Sequence, residues 1–460
     1  MTPFRARVVF VPLLAAAGAL GGGLAGCHGD TLGLTAGTDY TSQDVAGEPH
    51  NDVDLIFVVD NSPGMAPKQQ ALIAAFPALM RELRAAAGGL PNLRLGVVSS
   101  NLGAFGSRLA ECDLSDRGLL TVAAGCPAAP QGRFLASLDG GSHNNFTGDA
   151  ADAFACLVQA LGAEGCGFEQ PLAAARRALD VNQPIENEGF LRPDSLLGLL
   201  VIADEDDCSA PATTDLFEPS EARYGPQRSF RCAQYGHLCG GSPPSSSATP
   251  APLAGCRSAE EAGKLTPVAD IVRFFQSLVP PERLVVSVVG GPLAPYNVRV
   301  VDPALDEAEV APSCQSAVAG GAAPAVRLGQ FAAAFGARGT FSSVCDDMSG
   351  VLGRFGQAIV RRVGAACLTA TPVRLNPEAE GGKADCWVTE RAAGLGPDVA
   401  MPRCDTGVQR PCWNVLSSRE HCETSGYELR VERGETPALP GTVDTVRCRV
   451  CTRTGDPRCP

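Results

Sequence analysis

Lysine is nearly missing from this 460-residue chain: of 37 basic residues only Lys68, Lys264 and Lys383 are lysines, and the rest are arginines. That bias reads as the codon usage of a GC-rich genome. Positive charge is in deficit as well, with 50 acidic residues and a net charge of −13, which excludes a nucleic-acid partner held by phosphate neutralisation. Histidine is scarce: His28, His50, His143, His237 and His421 are the five. No His-Glu-x-x-His helix, Gly-x-Ser-x-Gly elbow or phosphate-binding loop occurs. Gly140-Gly141-Ser142 lacks a strand–loop–helix setting, and Ser62 beside Asp60 has no base in reach to make it a nucleophile. These absences argue against an enzyme. Disorder is excluded too, because 45% of residues are hydrophobic and only 19% charged. The length suits one large domain or two to three ordinary ones.

Cysteine, by contrast, is abundant. Nineteen in one chain suggest export to an oxidising compartment. Arg5 and Arg7 precede an apolar run, Val8 to Leu20, and then Gly21–Gly23, which is the pattern of a signal peptide rather than of a spanning helix. It ends in Leu24-Ala25-Gly26-Cys27, which resembles the lipobox of bacterial lipoproteins. The resemblance implies cleavage after residue 26, a diacylglycerol on Cys27, membrane anchoring through that lipid and, with His28 following, the outer membrane. Nothing beyond Cys27 is long and apolar enough to span a bilayer.

With Cys27 set aside, ten cysteines lie between Cys112 and Cys345 and eight between Cys367 and Cys459. Even counts on both sides of residue 365 predict two domains that each close their own bridges. Pairings cannot be read from spacing, although Cys156/Cys166 and Cys232/Cys239 are near enough to be local pairs. Cys448-x-x-Cys451 has no partner motif and reads as disulfide-forming rather than zinc-binding.

Residues 27–51 are polar and aperiodic and read as a lipidated tether. Apolar runs at 54–60, 93–99, 196–204, 284–289 and 340–344 are those of strands buried on both faces. Between them, Leu72, Phe76, Leu79, Met80 and Leu83 share a helical face, with Pro77 kinking that helix or marking its start. Phe154/Leu157/Val158/Leu161, Val268/Ile271/Val272/Phe275/Leu278 and Val351/Leu352/Phe355/Ile359 form three further faces. The alternation predicts an α/β fold with a doubly wound, mostly parallel sheet over residues 52–365.

Ligands of such sheets sit at the carboxyl ends of the strands. There lie Asp60-Asn61-Ser62-Pro63-Gly64 after the first strand and Asp204-Glu205-Asp206-Asp207 after the run at 196–204. Together these resemble a von Willebrand factor A (vWA) domain with its metal-ion-dependent adhesion site, in the form of Cys-rich lipoproteins of myxobacterial type. By that resemblance Asp60, Ser62 and Asp204 are metal ligands, and Mg²⁺ or Ca²⁺ is the expected ion. Gly64 stands at the position of the second serine and Cys166 at that of the threonine, so two hydroxyl ligands are missing. Water in the room left by Gly64, and oxygens of Glu169, Glu205 or Asp206, are the expected replacements. Without a metal, Asp60 would be a strand-end carboxylate capping the next helix, and Asp204–Asp207 a solvated acidic turn.

Insertions near 104–150, 209–262 and 292–325 are candidates for recognition. In the second of them Tyr224, Phe230 and Tyr235 read as a small core of the insertion itself. Residues 366–460 read as a small β-rich, disulfide-stapled module, with Trp387 and Trp413 packed beside Cys386 and Cys412. The expected function is binding of a protein or matrix ligand at the cell envelope, cation-dependent through the degenerate site. A metal-independent scaffold binding through its insertions is the alternative, and a secreted hydrolase the weakest reading.

Overall fold

The structure, a computed structural model, describes residues 38–46, 51–86, 89–180, 184–193, 195–261, 263–305 and 307–363. In the C-terminal stretch it describes 366–375, 383–391, 397–404, 410–419, 422, 425–433, 442–451 and 458–459. The expected signal peptide and Cys27 lie outside these residues.

The main sheet has seven strands: β1 (Asp52–Val59), β2 (Asn92–Ser99), β3 (Phe134–Leu138), β4 (His143–Asn144), β5 (Leu196–Ile202), β6 (Leu284–Gly290) and β7 (Gly339–Ser343). Their order is β7-β6-β5-β1-β2-β3-β4, parallel from β7 to β2 and antiparallel at β3 and β4. The helices packed on this sheet are α1 (Ala66–Arg84), α2 (Ala150–Gln159), α3 (Pro171–Leu179), α4 (Val268–Leu278), α5 (Val326–Ala333) and α6 (Met348–Val360), and two short helices, Glu221–Tyr224 and Phe230–Gly236, lie in the second insertion.

Alternation along β1 divides the core in two. Val53, Leu55, Phe57 and Val59 face α1, α2 and α6, whereas Ile56 and Val58 face α3, α4 and α5. Every one of these strand residues is fully buried, which explains why the sequence shows a continuous apolar run instead of a polar alternation. The four anticipated helical faces are the buried faces of α1, α2, α4 and α6. Pro77 neither starts nor ends α1, which runs through it. Strands β3 and β4 lie inside the segment expected to be an insertion at 104–150.

Disulfides pair every cysteine from Cys112 onward, and none crosses residue 365. The local pairs anticipated from spacing do not form. Cys156 bonds Cys126 and Cys166 bonds Cys112, while Cys232 bonds Cys208 and Cys239 bonds Cys256. Cys448 and Cys451 bond Cys386 and Cys459.

Beyond α6 the chain forms antiparallel sheets. One joins Val399–Met401, Cys386–Arg391 and Val443–Cys451 to Thr38–Ala46, and the other joins Ala366–Cys367, Tyr427–Glu432 and Cys412–Ser417. Thr38–Ala46 falls within the expected tether, but it pairs residue for residue with Val443–Cys451. Trp413 is buried in this core and its indole N–H donates to the Met401 carbonyl at 2.9 Å. Trp387 is not: it is 42% exposed and meets the Tyr40 ring edge-on.

Close packing of α1 on α6 depends on Gly356, where a Cβ would stand 2.8 Å from Glu82 Cβ and 3.1 Å from Leu79 Cδ1. Gly353, one turn earlier, has open space beside it. Gly356→Val should destabilise by about 2 kcal/mol through overpacking. Gly353→Ala should stabilise by about 0.5–1 kcal/mol through helix propensity. Calorimetric melting of the two variants checks both signs.

Candidate ligand site at the carboxyl edge of the sheet

The chain runs outward from β1 through β2 to β3 and then resumes at β5 on the other side of β1, so the β1/β5 junction is the switch point of the sheet. Asp60 leaves β1 and Asp204 leaves β5 at that junction. The Asp60 N–H still donates to Ile202 O at 2.9 Å, so the strand geometry fixes where its side chain begins. Its Oδ1 accepts from Ser62 N at 2.8 Å and from Ser100 Oγ at 3.1 Å. Its Oδ2 is buried and has no hydrogen-bond partner.

Asp204 is answered by a residue that the sequence reading passed over. Lys68, in the first turn of α1 and 2% exposed, places Nζ 2.9 Å from Asp204 Oδ2 and donates to Gly64 O at 3.1 Å. The room beside Gly64 is also taken, since a Cβ there would overlap the Asp204 carboxylate. Water was expected in that room; the second carboxylate fills it instead.

Asp206 and Asp207 are engaged by other side chains and backbone N–H groups, not solvated. Asp206 accepts from the N–H groups of Arg327 and Leu328 at the start of α5 and lies 2.7 Å from His237 Nε2. Burial works to raise its pKa, but the His237 ring and those N–H groups more than cancel this and hold it below the usual value. Asp206 therefore has no oxygen to spare for a metal. Asp207 pairs with the fully buried Arg327 guanidinium at 2.9 Å, although burial outweighs Arg327 and leaves its carboxyl raised.

Glu205 and Glu169 line a cavity of about 80 Å³ together with Ser229 and Glu309. Burial, then the charges of Glu205 and Asp60, push Glu169 well above the ordinary range. Burial also pushes Glu205 up to about 7. Cys166, at the expected threonine position, is locked to Cys112. Its neighbour Gly165 must be glycine because a Cβ would overlap the Asn61 side chain.

The orphaned Asp60 Oδ2 favours a divalent ion. Against it stand the Lys68 ammonium on Asp204, the filled space at Gly64, the disulfide at Cys166 and the engagement of Asp206. A divalent ion about 4–5 Å from the ammonium would meet roughly 7 kcal/mol of repulsion at an effective dielectric constant of about 20. Among the described residues, the one trio of His, Cys, Asp or Glu whose ligand atoms lie within 4.8 Å of one another is Cys404, Cys412 and Glu432, and those two cysteines are bonded to each other. As folded, the donors at Asp60, Ser62 and Asp204 do not fit a divalent ion.

The insertions close over this edge. Cys208–Cys232, Cys239–Cys256 and Cys314–Cys345 fasten the second and third. Tyr224 and Phe230 are buried and Tyr235 partly so, but in cores shared with the first and third insertions, not in one belonging to the second insertion alone. Among the described residues, no helix is long and apolar enough to cross a membrane. Nine disulfides call for folding in an oxidising compartment.

No protein-family profile matches the chain, and no curated protein sequence matches it. Solved structures similar to it include the proximal thread matrix protein 1 of the mussel byssus with zinc-occupied MIDAS motif, at 9% identity and TM-score 0.30, covering 71% of this chain and 52% of that one. This chain thus spans about half the length of the mussel protein. Manganese-loaded Plasmodium vivax TRAP protein is similar at 10% identity and TM-score 0.26, covering 69% of this chain and 77% of that one. The adhesive tip pilin GBS104 of Group B Streptococcus agalactiae is similar at 12% identity and TM-score 0.27, covering 92% and 84%. At these scores the likeness is confined to coarse architecture. The sheet of this chain, parallel from β7 to β2 with helices packed on both faces, agrees with the mostly parallel α/β sheet expected from the sequence.

Two measurements check the site. Burial, then the charge of Asp204, pushes Asp60 up to about 7 from an ordinary 3.8. The folded state therefore holds a proton that the unfolded state has already lost, and between about pH 4 and 7 this carboxyl destabilises the fold as pH rises. Melting in chelator between pH 5 and 8 should show wild type losing more stability than Asp60→Asn, which cannot ionise. Gly64→Ser, which restores the family's second serine, should cost about 1–3 kcal/mol by pushing Asp204 aside, read as a lower melting temperature.

Proposed function

We propose that this chain is a non-catalytic, lipid-anchored envelope protein whose doubly wound, vWA-like domain binds a protein or matrix ligand at the carboxyl edge of its sheet. The observation that carries this reading is Phe105, which is 96% exposed. Its loop leaves the site directly after Ser100 and is fastened through Cys112–Cys166 and the bond from Gln170 Nε2 to Gly103 O. A phenyl ring in water, on a loop so constrained, costs solvation free energy in the free protein and recovers it when a partner covers the ring. Leu114 at 78% and Val318 at 79% are further apolar side chains exposed in the insertions. Lipidation of Cys27 and an outer-membrane location belong to this reading on the strength of the lipobox. The absence of recognisable catalytic motifs supports a binding role.

A second reading keeps the cation dependence, with Asp60, Ser62 and Asp204 holding Mg²⁺ or Ca²⁺. The unpartnered Asp60 Oδ2 favours it. Retention of the full chain on immobilised envelope and extracellular-matrix protein from the producing cells separates the two. Phe105→Ser should weaken retention about tenfold, the equivalent of about 1.4 kcal/mol, while chelator leaves it unchanged. Loss of retention in chelator with no effect of Phe105→Ser would favour the cation-dependent reading.

A further inference from the structure

We propose that the Lys68 ammonium is the resident cation of this site, carried by the chain itself in place of a divalent ion. The proposal rests on the reading that the edge binds its ligand without a metal, and it identifies what makes that workable. Three observations bear on it.

The first is position. Nζ bonds Asp204 Oδ2 at 2.9 Å and Gly64 O at 3.1 Å, so it joins the loop after β1 to the strand end of β5. In the chemistry expected from the resemblance, a metal would make that junction.

The second is enclosure. Lys68 is 2% exposed, and Gly320 of the third insertion lies against it, where a Cβ would stand 3.7 Å from Nζ. Ala323 N donates to Asp204 O at 2.8 Å and ties the same insertion to the β5 end. The ammonium is thus part of the packed structure and not a surface charge resting on a carboxylate.

The third is the pattern of what is missing. Magnesium demands six oxygens in near-octahedral array, whereas an ammonium has three donors and needs only three acceptors. Both lost hydroxyl positions, Gly64 and Cys166, are places where an ion would need an oxygen and an ammonium does not. The side chain is also one of only three lysines in a chain that otherwise uses arginine. Its compact point charge bonds the Gly64 carbonyl and the Asp204 carboxylate from a single nitrogen. In the loop after β1, Asp60 Oδ2 and Asn61 Oδ1 are buried acceptors without a hydrogen-bond partner. Removing the ammonium would then leave two buried carboxylates facing a space of cation size.

The test is Mn²⁺ titration of the full chain, folded in an oxidising compartment, read by electron paramagnetic resonance and calorimetry with Mg²⁺ and Ca²⁺ as competitors. Wild type should show no saturable binding at about 1 mM, and Lys68→Met should gain affinity by about 100-fold or more as the repulsion is removed. Adding Asp60→Asn to that variant should abolish the gain. If Lys68→Met does not fold in chelator, recovery of folding on adding Mn²⁺ supports the proposal, and failure to fold with every ion overturns it. Saturable wild-type binding that Asp60→Asn removes would overturn it, as would a folded Lys68→Met that stays silent to all three ions. None of these readouts involves the ligand, so ligand binding can succeed or fail separately.

Discussion

Four consecutive acidic side chains, Asp204 to Asp207, turn inward at the end of β5, and much of the architecture answers that one electrostatic demand. A buried carboxylate must be paired, hydrogen-bonded or protonated. Asp207 is paired with Arg327, and Asp206 caps α5 and meets His237. Asp204 is paired with Lys68. Of the four, only Glu205 lacks a basic side chain beside it, and burial pushes its pKa up to about 7. Arg327 in turn donates to Ser258 and to the Thr266 carbonyl, so the second insertion is drawn onto the sheet through the same charge. Removing any one partner would leave a buried charge exposed to its neighbours, which is why the turn, α5 and the insertions behave as one structure.

The parallel strands were legible because burial on both faces demands continuous apolar runs, and β1, β2, β5 and β6 show them. Strand β3 was not legible: Phe134–Leu138 has only five residues, alternately buried and half-buried, too few to show a period. Helices α3 and α5 escaped notice for a different reason. Half of the buried face of α3 is alanine, which packs closely without announcing an apolar stripe, and that of α5 is interrupted by Arg327 and Gly329. The even division of cysteines around residue 365 foretold that bridges stay on their own side. Their partners could not be foretold, because Cys112 and Cys166 are brought together by strand order and not by nearness in sequence.

At the site, Asp60 and Asp204 were legible as strand-end carboxylates, and their meeting follows from the order of the sheet. Lys68 was not. It lies 136 residues from Asp204, and the rarity of lysine pointed toward codon usage and away from position. The spacing itself held the clue: Gly64 and Lys68 are four apart at the head of a helix, so the side chain can reach back along the turn to the loop. Glycine in place of serine and lysine one turn later form a matched pair that reading each residue alone separates.

The nine-residue pairing of Thr38–Ala46 with Val443–Cys451 bears on how the molecule carries load. Tension applied to the chain on either side of residues 38–46 would pass along this strand's own backbone, entering at one end and leaving at the other. The strand is already extended, at roughly 3.4 Å per residue and about 30 Å in all, so it has no slack to release. The C-terminal module is clipped to the side of that line and carries none of the tension. It acts as a splint, holding residues 38–46 straight along their whole length.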